Sequence, residues 1–325
     1  IKVTLTKKSV FILIGLLAVQ YSLAQSIRKH GLSRQLNFST DNDFFLLTDR
    51  YYTFGMDIEY NSLITSQSKL YHFFKCNPDT SKMIMNYHYG NKIFTPTNIT
   101  TNQTKFMDRP YAGWNFIRLG ITLFPRDEIG HDFGIETGLL GKLSGLGQFQ
   151  QWWHDQIHIY SVNGWASQIE SEVVVNFYYN FYRSWQITKG IDLVSISKVI
   201  GGTGMNKLGE EINFRLFKFN PINNSSFFNS RISWNKKPDT DQEAFFFLGF
   251  GGEYVASNIF IEGTLFRNNE SVFTVNPKRW LYTNRLGFTY SHQTLTYSLV
   301  WYQLSKEVEQ GEKHRYLSLN MSVRF

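Results

Sequence analysis

The sequence predicts an all-β fold: a closed antiparallel transmembrane β-barrel of about 12 strands, with a short helix in a long loop. Three observations predict it. Short runs alternate apolar and polar residues with period two. Their apolar side is crowded with Phe, Tyr, Trp and Leu, whereas the other side carries Asp, Glu, Asn, Arg and Gly. Past Gln25, no apolar run approaches the ~20 residues that a membrane helix needs. A soluble sandwich also alternates, but an apolar face so crowded with aromatic residues, and a last strand that runs Leu317, Leu319, Met321, Val323 to Phe325, favour the membrane. In lipid every backbone polar group must be paired within the protein, so a sheet there has to close.

The first element is a leader. Residues 1–24 join a lysine-bearing head to an apolar run from Val10 to Val19 and end on Ser22-Leu23-Ala24, whose small residues suit signal peptidase. The reading is a signal peptide over 1–24 and a single outer-membrane barrel domain over 25–325. Lys2, Lys7 and Lys8 supply three of the +7 formal charges, leaving +4 on the rest, too weak and dispersed for nucleic acid. Aromatics make up 17% and charged residues 18%, and mean hydropathy is −0.28. The single Cys76 excludes an intrachain disulfide.

The strands come next. From Tyr52 to Tyr60 the even positions are Tyr, Phe, Met, Ile and Tyr and the odd ones Thr, Gly, Asp and Glu, so the even set forms one apolar face. Similar alternation runs from Ile169 to Phe181, Trp280 to Tyr290, Leu295 to Trp301 and Leu317 to Phe325. Less regular versions lie near Leu36 to Asp43, Met83 to Phe94, Asn115 to Phe124, Phe133 to Leu140, Ile191 to Ile200, Ile212 to Phe219, Phe245 to Tyr254 and Ile259 to Phe266. That makes thirteen runs, while single-chain bacterial barrels usually have an even count. Twelve is the expectation, with the Phe245 to Phe266 region or the Ile191 to Ile200 run as the surplus. Phe246, Leu248 and Phe250 read as lipid-facing, and Gly201-Gly202-Thr203-Gly204 as a barrel turn rather than a phosphate loop. Long connections fall at 61–82, 95–114, 142–167 and 220–243.

One connection holds GQFQQWWHDQIHIYSVNGW, residues 147–165. Read as a helix from Gly147 to Ile159, it puts Gln150, His154 and His158 on one face and gives Trp153 and Ile157 an adjacent stripe that can pack on the barrel rim. His154 and His158 have the spacing of a helical metal pair, but no Glu follows His154 as in an H-E-x-x-H zinc motif. Alone, this leaves packing, metal binding and catalysis open for His154. Asp49-Arg50 and Asp108-Arg109 read as ion pairs holding loops.

An ordered set of motifs narrows the choice: Asn42-Asp43, Asp49-Arg50-Tyr51-Tyr52-Thr53-Phe54-Gly55, Thr95-Pro96, Asp108-Arg109-Pro110-Tyr111-Ala112-Gly113-Trp114, Gly138-Leu139-Leu140-Gly141, Gln150-Gln151-Trp152-Trp153-His154 and Trp165-Ala166-Ser167-Gln168-Ile169. Spanning roughly residues 36–180, they resemble the LpxR-type lipid A deacylases, outer-membrane barrels that hydrolyse an acyloxyacyl ester of lipid A. The resemblance implies an outer-membrane carboxylic ester hydrolase acting on lipid A, with His154 as general base and Asn42, Asp43 and Thr53 as polar residues needed for activity. It also implies Ca²⁺, for which Asp43 and, more weakly, Asn42 are the candidate ligands.

Two departures stand out. The family glutamate six residues after the histidine is Tyr160 here, leaving Glu170 or Glu172 as possible substitutes. The family Lys-Arg pair falls in 97–104, which has no basic residue, leaving Lys105 and Arg109 as the nearest candidates for lipid A phosphate. The alternatives are a non-enzymatic pore or adhesin, and an esterase with a serine nucleophile, for which no serine motif stands out.

Overall fold

A computed structural model of the chain describes residues 32–43, 48–77, 79–233, 242–264 and 270–325. The expected leader lies outside the described residues. Twelve antiparallel strands form one closed barrel: β1 (Arg34–Asn42), β2 (Tyr51–Leu63), β3 (Lys82–Thr95), β4 (Ala112–Arg126), β5 (Ile129–Leu140), β6 (Glu172–Thr188), β7 (Ile191–Gly202), β8 (Met205–Lys218), β9 (Gln242–Asn258), β10 (Trp280–His292), β11 (Leu295–Leu304) and β12 (His314–Arg324). Each strand pairs with its sequence neighbour, and β1 closes on β12 from Gln35↔Arg324 to Asn42↔Leu317. Among the described residues, three α-helices lie in connections: α1 (Lys69–Phe73), α2 (Leu146–Ile157) and α3 (Ile259–Glu262).

The surplus thirteenth run is the one expected at Ile259 to Phe266, whose described residues, 259–264, begin with a short helix and not a strand. After the 17-residue β9, Asn258 caps α3 by accepting from the Phe260 N–H, and Ile259, Phe260 and Ile261 are buried. An apolar run of this length suits a short buried helix as well as a strand. Ile191 to Ile200 is a true strand, and Gly201 to Gly204 is the turn from β7 to β8.

Alternation sorts side chains as expected over most of the wall. Ile58, Phe177, Phe246, Leu248, Phe250 and Leu319 are exposed on the outside. Inside, Asp57 accepts from Ser39 and pairs with His88, Glu136 pairs with Arg118, and Arg215 lies 2.5 Å from Asp192. Tyr52 departs from the expected apolar face. A bulge at Thr53 lets Tyr52 oppose Phe94 while Phe54 opposes Ile93, which reverses the face. Tyr52 instead meets the Tyr316 ring edge-on at 5.1 Å and donates its hydroxyl to Asp41 at 2.8 Å.

Both ends of the lumen are filled. At the end carrying the described termini, the described part of the β8–β9 connection folds inward. Glu243, with no exposed surface, accepts from the Asn220 and Ser226 N–H groups, both at 2.8 Å, and from the Ser225 hydroxyl at 2.9 Å. Lys82 donates to the Asn223 carbonyl at 2.6 Å, and Asn229 donates to Glu59 at 3.1 Å. At the other end Phe94, Trp114, Phe116 and Phe260 stack, with Phe260 centroids 5.6 Å from Phe94 and 5.0 Å from Trp114. A polar cavity of about 410 Å³ lies along the lumen, lined by Asp57, Glu59, His88, Arg118 and Arg285 among others.

Replacing Glu243 with Ala strips several buried donors of their acceptor at once. Glu243→Ala is expected to cost about 3–5 kcal/mol, read as a lower urea midpoint for loss of the compact electrophoretic form. It is also expected to admit ion current in planar bilayers that wild type blocks.

Candidate active site

The rim opposite the described termini carries the connections 43–50, 96–111, 141–171, 259–279 and 305–313. The 141–171 connection positions α2. Gly145 precedes the helix at φ 71, a left-handed conformation open to glycine without strain, and His158 ends it at φ 55. Leu146, Gln150 and His154, each four residues apart, form its buried face.

That face lies against the outward side of the upper barrel wall. Phe54, Ile93 and Gly113 share this side, and a Cβ at position 113 would come 2.9 Å from the Leu146 Cβ, so glycine is what lets the helix lie so close. Ile93, Ile99, Met107, Tyr111, Leu146, Val162 and Trp165 form one buried apolar cluster, with Phe54 packed on it. Gln150 accepts from the Trp165 indole N–H at 2.9 Å, which ties the end of the connection back to the helix. His158 falls on the exposed C-cap and does not continue the buried face.

His154 is 4% exposed. Its Nδ1 lies 3.0 Å from the Tyr160 carbonyl, an acceptor only, so Nδ1 carries the proton and the lone pair of the neutral ring is on Nε2. Nε2 faces Asp49 Oδ2 at 3.4 Å, and the same Oδ2 accepts the Tyr160 hydroxyl at 2.8 Å. Tyr160 therefore holds both members of the pair, the histidine through its backbone and the aspartate through its side chain.

Asp43 stands on the same connection as Asp49, 1% exposed, its Oδ2 accepting from the Thr48 hydroxyl at 2.9 Å and the Arg50 N–H at 3.0 Å. Burial, reinforced by the Asp49 charge and opposed by those two hydrogen bonds, pushes Asp43 up to about 7. Burial also raises Asp49, against the Tyr160 hydroxyl and His154, which lower it. Thr53, at the bulge, is buried, and its hydroxyl lies 3.4 Å from the Ile93 carbonyl. Asn42 closes β1 opposite Phe54 and Leu317.

Residues 10–325 match the family of outer membrane protein LpxR. The chain belongs to that family. Its place is the bacterial outer membrane, and the twelve-stranded barrel agrees with a solved member. LpxR from Salmonella typhimurium superposes with a TM-score of 0.71 at 19% identity, over 90% of this chain and 100% of that one. The transport unit of the autotransporter AIDA-I from Escherichia coli gives a TM-score of 0.43 at 9% identity, over 96% and 97% of the two chains. No curated protein sequence matches.

The structure departs from several expectations drawn from the sequence. Asp49 and Arg50 do not pair with each other: Asp49 turns to His154, and Arg50 bonds Glu312 at 2.7 Å. Asp108 accepts from the Tyr51 hydroxyl at 2.7 Å and the Thr97 N–H at 2.9 Å, while Arg109 pairs with Glu307 at 2.5 Å and stacks over Phe94. At 1% exposure, Arg109 is a buried structural cation, whereas Lys105 is exposed over the Phe106 ring.

Trp153 and Ile157 do not pack on the rim. They are 48% and 40% exposed, because the buried face of α2 is set by Leu146, Gln150 and His154. Glu170 turns toward the β9–β10 connection, accepting from the Glu270 N–H at 3.1 Å, and Glu172 opens β6 opposite Leu140. The carboxylate beside the histidine is Asp49, which the sequence reading had assigned to an ion pair. Its signal was the DRYYT stretch that opens thirteen residues after the start of the Leu36 to Asp43 run, but nothing in sequence joins it to residue 154.

Gly164 is where the connection crosses Tyr111; a Cβ there would fall 2.2 Å from a Tyr111 ring carbon. Gly164→Ala is therefore expected to loosen residues 141–171 while the barrel still forms. Faster proteolysis within that segment at an unchanged barrel unfolding midpoint would show it.

Proposed function

We propose that this chain is a lipid A deacylase in which His154 is the general base for water attacking an acyloxyacyl ester. Family membership supports the substrate class. The observation that carries the mechanism is the geometry of His154: Nδ1–H is committed to the Tyr160 carbonyl, so Nε2 is the proton acceptor, with Asp49 at 3.4 Å. The site lies against the outside of the wall, on the rim with the longer connections, which in bacterial barrels faces the outer leaflet. Lipid esters lie on that side.

The step balances simply. Water oxygen bonds to the ester carbonyl carbon as its proton passes to Nε2, and Asp49 stabilises the imidazolium that forms. The tetrahedral intermediate then expels the sugar alkoxide, which takes the proton back from Nε2, leaving a carboxylic acid and an alcohol. Tyr160 acts as a positioning residue through Asp49. No covalent enzyme intermediate is needed.

The donor set fits a hard cation. Asp43 is a buried carboxylate and Asp49 a largely buried one whose charge raises the proton affinity of Asp43, and Asn42 and Thr53 offer further oxygens. Asp43, with Asn42 as a second donor, would hold Ca²⁺, which when bound would stabilise charge on the ester carbonyl oxygen. Lys105, exposed on the β3–β4 connection, is the remaining sequence-derived candidate for phosphate. Arg109 serves the fold instead.

Mass spectrometry of lipid A from cells expressing the chain tests this reading. Wild type should remove an acyloxyacyl mass in calcium, and His154→Ala, Asp43→Ala or chelator should abolish the change, a loss of ~10²–10⁴-fold for the histidine. Unaltered lipid A in wild-type cells with calcium would refute it. Protons compete with Ca²⁺ for Asp43. With Asp43 at about 7, calcium affinity measured by calorimetry should rise toward tenfold per pH unit below 7 and level off above it. Asp43→Asn should flatten that dependence.

A further inference from the structure

The apolar residues that α2 does not bury form a stripe of their own. Phe149, Trp152, Trp153 and Ile157 are 40%, 53%, 48% and 40% exposed, at three- and four-residue spacing and with Gln156 as the polar residue among them, while Gln148, Gln151 and Asp155 occupy a separate polar face. Three apolar rings are more than a folded helix needs to leave open to water, and each would bury a large area if covered. We propose that this stripe is a membrane-interface anchor: α2 lies with Phe149, Trp152, Trp153 and Ile157 in the boundary between headgroups and acyl chains of the outer leaflet, and so draws acyl chains past His154.

Continuity with the lipid-facing wall identifies the occupant. Phe54 lies on the same face of β2 as the exposed Ile58, and its ring centroid is 6.2 Å from that of Phe149. Phe149 is 6.0 Å from Trp152, and Trp152 is 6.3 Å from Trp153. The rings thus run unbroken from the barrel surface onto the helix. His154 is one residue beyond Trp153 and turned the other way, toward Asp49. An amphipathic helix of this pattern, with indoles at its apolar edge, is the form that lies in a membrane interface. Leu143, just before the helix, is a further exposed apolar residue, at 58%.

The location of the helix follows from the fold and the family alone. Only its consequence for substrate rests on the deacylase reading. The experiment separates the two. The full chain is reconstituted in phosphatidylcholine vesicles whose acyl chains carry bromine either near the headgroup or near the methyl end. Tryptophan emission of wild type is compared with that of W152F/W153F. The difference emission, which belongs to these two indoles, should be quenched by brominated lipid, and more strongly by bromine near the headgroup. Difference emission that is unquenched and typical of water-exposed indole would overturn the proposal. So would unquenched, blue-shifted emission accompanied by a crosslinked dimer, which would assign the stripe to a second copy. On the kinetic side, W152S/W153S should raise KM severalfold for lipid A in vesicles with little change in kcat. An unchanged KM alongside normal quenching would leave the anchor standing and remove its role in drawing in substrate.

Discussion

Every feature of this molecule depends on one hydrogen-bond ladder, that between β1 and β12. A sheet with free edges cannot persist in hydrocarbon, since each unpaired N–H or C=O there costs several kcal/mol. The eight register pairs from Gln35↔Arg324 to Asn42↔Leu317 remove those edges, and the Arg34 and Phe325 backbones extend the ladder with N–H···O contacts of 2.9 Å in both directions. Closure turns alternate residues into a lumen that must be satisfied from within. The Arg118–Glu136, Arg215–Asp192 and Arg285–Glu211 pairs do so across the wall, and the 220–233 segment does so from one end. With the lumen filled by aromatic rings at the other end, the candidate site lies on the outside of the rim.

The same closure sets where the candidate site can be. β1 ends at Asn42 and β2 begins at Tyr51, so the connection between them, with Asp43 and Asp49, stands at a fixed height beside the outward face of Phe54 and Ile93. The insert after β5 reaches that face because Gly113 has no side chain to keep Leu146 away. Asp49 then gains two partners from the insert, the Tyr160 hydroxyl and His154. Two buried carboxylates without compensation would be costly. The imidazole and the tyrosine hydroxyl lower that cost, and the proposed cation would lower it further, so the same residues that steady the insert suit the proposed ester chemistry.

Much of the barrel was legible in the sequence because period-two alternation is a local property. Phe177, Tyr179 and Leu319 face outward and Asn176 inward, as the pattern required. Tyr52 was misassigned because a bulge depends on the partner strand, and Ile259 to Glu262 because a short apolar run is equally a buried helix. At the site, His154, Asp43 and Thr53 were singled out by ordered motifs. The partnership of residues 49, 154 and 160 was not legible, since it joins positions 111 residues apart in sequence through a loop conformation. Arg109 looked like a phosphate ligand by charge alone; its partner Glu307 lies across the barrel mouth, 198 positions away.

The central claim is that the Nε2 of His154 accepts a proton from the water that cleaves a lipid ester. Its most direct measurement is fatty-acid release by the purified protein from vesicles containing lipid A with calcium, comparing wild type with His154→Gln at equal folded protein. The expected result is release by wild type and a fall of ~10²–10⁴-fold in the variant. Equal rates for the two proteins would contradict it.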